Sequence, residues 1–134
     1  MTQKIAEYTK EIIAALSGYF VYLAGGFGQA LEFLAWLLLI DYITGVMKAV
    51  ILNEVNSTIG LIGIIKKAGV LIIVVIVNMV DIRLGVSGQL RESIIYMLFI
   101  NECISSLENL GAINVPGAKQ VSQTIDQIRE VIKD

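Results

Sequence analysis

The chain has 134 residues, of which 56% are hydrophobic and only 16% are charged, with a mean hydropathy of +0.76. A soluble domain of this size has a lower apolar fraction and about 25% charge, so the composition points to a membrane protein and excludes extended disorder. The net charge of −2 offers no basic field for nucleic acid. One cysteine, Cys103, and no histidine leave no disulfide framework, no ready zinc site and no histidine general base, so an enzyme, a metal or a cofactor is not expected.

A spanning helix needs about 20 largely apolar residues. The stretch between Glu11 and Glu32 carries no charge and is assigned a span at about 12–31, although Gly25 and Gly26 mark a turn near its end. Glu7 and Glu11 beside Lys4 and Lys10 do not fit the basic leader of a secretory signal. A second span, about 33–52, opens on FLAWLLLI and then admits Asp41 and Lys48. The third, about 63–82, runs through AGVLIIVVIVNMV, with Lys66 and Lys67 expected to snorkel to headgroups. The fourth, about 92–110, is apolar through IIYMLFI and then mixed. Arg83 and Arg91 flank the connection between these last two spans and are expected, like the lysine pair, to anchor at the interface.

Beyond Gly111 and Pro116, Val121, Ile125, Ile128 and Ile132 recur at helical spacing, which predicts an amphipathic tail helix. The reading is an all-α, small polytopic membrane protein. It has three to four transmembrane helices in residues 1–112 and a cytoplasmic amphipathic helix in 113–134. Four spans place Lys4, Lys10, Lys48, Lys66, Lys67, Lys119, Arg129 and Lys133 on one side and Arg83 and Arg91 on the other, which makes the first side cytoplasmic. Should the first segment lie on the membrane instead, three spans remain, the N-terminus moves outside and the tail stays cytoplasmic.

Polar residues within these helices form the candidate site. Asp41, Thr44, Gly45 and Lys48 share one face, which lines a pore or joins subunits unless both charges sit near an interface. In the fourth segment Asn101, Ser105 and Glu108 form one stripe, while Glu102, Ser106 and Asn109 form the next. So broad a polar face must meet water or partner helices, unless the bilayer ends near Asn101. Asn78 reads as an interhelical hydrogen bond and Cys103 as a small packed hydrophobe.

The run LLLIDYITGVMKAVI, the later STIGLIGIIKKAGVLIIVVIVNMVD and the block INECISSLENLGAINVPGAKQ resemble the bacteriophage holins of the toxin-secretion/phage-lysis type found with Gram-positive hosts, over about Leu31 to Val131. The resemblance implies a protein that oligomerises with itself in the lipid bilayer of the host cytoplasmic membrane and opens timed lesions. Endolysin or toxin is then released cargo rather than a bound partner. Two other readings are an antiholin, which would share the same spans, and a small four-helix multidrug-type transporter. The transporter would carry its acid in the first helix, where this chain has none within the apolar run.

Overall fold

A computed structural model describes residues 1–133, which form five helices in the order α1 (Thr2–Leu23), α2 (Gln29–Ile51), α3 (Ser57–Leu84), α4 (Gln89–Ala112) and α5 (Ala118–Lys133). The breaks follow local chemistry. After Leu23, Gly25 and Gly26 take φ of +89° and +94°, conformations costly for a residue with a Cβ, and the Gly26 N–H closes on the Val21 carbonyl at 2.9 Å. The segment expected as one span at 12–31 is therefore split. Its first part belongs to a helix that begins ten residues earlier, at Thr2, and its last three residues, 29–31, open α2.

Asn56 starts α3, its side-chain oxygen accepting from the Thr58 and Ile59 amides at 2.9 and 3.3 Å. Gly85, at φ +67°, ends that helix. The turn into α5 closes through the Val115 amide on the Leu110 carbonyl at 3.0 Å.

α4 is the hub, touching α2 most extensively and also α3 and α5. Contacts near residues 24 and 91 at one end, and between residues 41 and 109 further along, show that α2 and α4 run parallel, and the Asp81–Arg91 and Lys67–Glu102 contacts set α3 antiparallel to both. The apolar centre is small. It comprises Leu31, Leu34 and Leu38 on one stripe of α2, Val74 of α3, Ile95 and Leu98 of α4, and Ala24 from the first turn. Tyr42 of α2 lies over the glycine face of α3, at ordinary van der Waals distance from where side chains at Gly60 and Gly63 would begin.

Most of the aliphatic surface faces outward. Trp36, Ile40, Ile43, Ile72, Ile76 and Met79 are all exposed, a belt far larger than a soluble monomer tolerates. Among the described residues, α2 and α3 are long and apolar enough to cross a membrane, and only 6% of the most apolar stretch of α3 is buried, so it is not the hidden core helix of a soluble protein. α1 and α4 do not reach that hydropathy, because α1 carries four charges in its first half and α4 is polar along one side.

Candidate functional site

Two polar clusters join the helices, one at an end of the bundle and one along its length. At the end, α3 places Asn78 and Asp81 one turn apart beside the start of α4. The Asp81 carboxylate accepts from the Gly88 and Arg91 amides at 2.6 and 2.9 Å, so it caps the N-terminus of α4 from a neighbouring helix. Arg91, whose side chain is 9% exposed, turns its guanidinium inward. Its Nε donates to the Ala24 carbonyl at 2.5 Å, and the two terminal nitrogens donate to Gly26 O at 3.0 Å and Glu92 Oε1 at 2.6 Å. Asn78 Nδ2 donates to Leu23 O at 2.8 Å. Side chains of α3 and α4 thus satisfy the orphan carbonyls at the end of α1 and clasp that turn to the bundle. Gly25 is required here for space as well as for φ, since a Cβ would fall 2.4 Å from Asn78 Oδ1 and 2.8 Å from Arg91 Nε.

The second cluster is an ion triad. Lys67 Nζ lies 2.5 Å from Asp41 Oδ2 and 2.9 Å from Glu102 Oε2, drawing α2, α3 and α4 to one point. The three side chains are 19%, 12% and 15% exposed respectively. Asn109 Nδ2 completes the group, donating to Asp41 Oδ1 at 3.1 Å and to Thr44 Oγ1 at 3.3 Å, while the Thr44 hydroxyl donates to the Asp41 carbonyl at 3.0 Å. Ser106 donates to the Glu102 carbonyl of its own helix at 2.8 Å.

The depth of this triad follows from helix geometry. Lys67 is fourteen residues before Asp81 and Glu102 eleven after Arg91, so the triad lies about 17–21 Å along the helices from the clasp. Two carboxylates so little exposed need a cation, and one lysine serves both.

Of the residues expected to form a polar seam, the structure therefore brings Asp41, Thr44 and Glu102 together. It leaves Lys48 half-buried, one turn beyond, without a hydrogen bond among the described residues. It separates the two stripes of α4. Glu102, Ser106 and Asn109 turn to α2 and α3, whereas Asn101 and Glu108 are exposed, and Ser105 beside them is half-buried; none of these three side chains has a polar partner among the described residues. The expected interface anchors divide in the same way. Lys66 and Arg83 are exposed, but Lys67 points into the triad and Arg91 into the clasp. The anchor reading missed these two because a lysine pair and a loop arginine look alike in sequence whether they face headgroups or carboxylates. Asn109 and Asp81 were missed as partners because each completes a group from another helix.

A model of the bacteriophage holin family matches residues 18–130, most of the chain. The chain belongs to the bacteriophage holin family. Its relatives include a probable holin of Bacillus phage phi105, 32% identical over 91 residues, or 66% of this chain and 67% of that protein. An uncharacterised 14.9 kDa protein of the nagH 3′ region of Clostridium perfringens is 35% identical over 128 residues, covering 94% and 96% of the two chains. An uncharacterised protein of Halalkalibacterium halodurans is 35% identical over 121 residues, covering 87% and 90%. No solved structure matches the chain significantly. Membership and the two long apolar helices together mark an integral membrane protein, and the matched region takes in both the triad and the clasp.

Proposed function

We propose that this holin-family protein oligomerises with itself in the bacterial cytoplasmic membrane and opens timed lesions through which a cytoplasmic endolysin, or a toxin, leaves the cell. The observation that carries this reading is the division of α4 into two polar stripes. The inner stripe is matched within one copy by Asp41 and Lys67, while the side chains of the outer stripe, Asn101, Ser105 and Glu108, have no polar partner among the described residues. An isolated helix holding those three residues toward lipid is unfavourable, and copies that pool them around water remove the cost. Asn101, Ser105 and Glu108 are accordingly the first wall of the lesion. Asp41, Thr44, Glu102 and Lys48 join it where the α2–α4 contact opens.

In this reading α2, α3 and α4 cross the bilayer, Arg83 sits at one face, Lys66 snorkels toward the other, and the tail stays in the cytoplasm. The α5 helix, with Val121, Ile128 and Ile132 exposed, offers an amphipathic surface for self-association or for the membrane.

Reconstitution tests the proposal. Purified protein in liposomes loaded with both a small dye and a folded enzyme should release both above a threshold protein density, and N101L/E108L should raise that threshold severalfold while inserting normally. Retention of both cargoes at every density would refute it; loss of the dye alone would reduce the lesion to an ion-sized pore.

A further inference from the structure

We infer that α1 does not cross the membrane but lies along the bilayer–water interface on the side of the Asp81–Arg91 clasp, its partner being the lipid surface itself. The inference rests on the reading that α2–α4 span. Three observations support it.

The first is length. The clasp fixes Leu23, Ala24 and Gly26 at the end of the bundle, and the charge-free helix that leads into it runs only from Ile12 to Leu23, about 18 Å of a hydrocarbon layer about 30 Å thick. A crossing α1 would carry Glu11 and Lys10 to the depth of the Asp41–Lys67–Glu102 triad and Glu7 beyond it. There the bundle supplies a cation for its own carboxylates, but α1 has no ion pair among the described residues.

The second is packing. Every residue from Thr2 to Tyr19 is exposed, among the described residues α1 meets the other helices at α3 alone, and Phe20 near its end packs against the core. The helix diverges from the bundle instead of lining it.

The third is pattern. At 100° per residue, Ile5, Tyr8, Ile12, Leu16, Tyr19 and Leu23 fall within a single arc of about 80°, and Lys4, Glu7, Lys10 and Glu11 all lie outside it. A spanning helix has no use for a charged arc in its first half, whereas an interfacial helix needs one facing water. Lys4 and Lys10 would favour the cytoplasmic side in a crossing helix, so sidedness is the deciding measurement.

Single cysteines introduced as T2C, S87C and Q123C in full-length C103A protein, inserted in sealed membranes, are labelled with a membrane-impermeant maleimide before and after permeabilisation. The inference predicts that T2C and S87C react from the same side and Q123C from the opposite one. Labelling of T2C with Q123C, opposite S87C, would overturn the inference and leave the spanning reading of α2–α4 intact. Labelling of S87C and Q123C from one side would overturn both. Spin labels scanned from residue 4 to 23 provide a second readout. Depth should oscillate with the helical period and never reach the bilayer centre, and a steady descent through the centre would overturn the inference.

Discussion

Replacing Lys67 by methionine keeps the aliphatic bulk and removes the one cation that Asp41 and Glu102 share. The three side chains are 12–19% exposed, so the two carboxylates left behind have little water to turn to. Breaking a buried ion pair by deleting one partner costs about 3–5 kcal/mol, against a total stability on the order of 5–15 kcal/mol. An ordinary interhelical hydrogen bond in a membrane contributes only about 0.6 kcal/mol, so the two accounts of the triad differ severalfold in what they predict. Reversible unfolding of the purified protein in mixed detergent micelles should show a K67M loss in the higher range. The triple variant D41N/K67M/E102Q carries no charge at the site and keeps an acceptor for Asn109, and it should recover most of that loss. A K67M effect below about 1 kcal/mol, or a triple variant no more stable than K67M, would refute the triad as the electrostatic link between α2, α3 and α4.

Other expectations are more local. G25A should destabilise by about 1–3 kcal/mol, and clearly more than G26A, because both positions have positive φ but only at Gly25 does a Cβ collide with Asn78 and Arg91; equal thermal shifts would contradict the clasp. D81N should weaken the cap on α4 by about 1 kcal/mol, read as faster amide exchange at Gly88 and Arg91, the two donors to the Asp81 carboxylate. N101L/E108L should delay lysis without lowering stability, since neither side chain has a polar partner among the described residues to lose; a stability loss comparable to that of K67M would show that these residues are packed elsewhere. Truncation after Gly117 should shift lysis timing and leave membrane accumulation intact, as measured by membrane fractionation.

Much of this was legible in the residues. The long apolar runs give α2 and α3, paired glycines give the turn at 25–26, and the helical repeat of Asp41 with Thr44 gives a face that does meet α4. The two stripes of α4 were also visible, but periodicity fixes only their angular separation, and which stripe turns inward depends on where α2 packs. Lys67 stands 26 residues from Asp41 and 35 from Glu102, separations at which no local rule operates. A lysine beside another lysine at the head of an apolar run has the same pattern whether it seeks phosphate or carboxylate. Arg91 was hidden for a similar reason, because its ligands are backbone carbonyls of a turn 65–67 residues away, and backbone groups leave no signature in composition. The start of α1 at Thr2 shows that charge ends an apolar window without ending a helix; Lys4, Glu7, Lys10 and Glu11 are good helix formers.

The central claim is that copies of this chain open the cytoplasmic membrane to a folded enzyme. The most direct measurement follows membrane potential and enzyme release together in a bacterium that holds a cytoplasmic muralytic enzyme while this protein is induced. The account predicts a quiet lag, then abrupt depolarisation with release of the active enzyme, and a longer lag for N101L/E108L. Steady potential and retained enzyme, with the protein confirmed in the membrane, would contradict it and favour an antagonist of lysis over its agent.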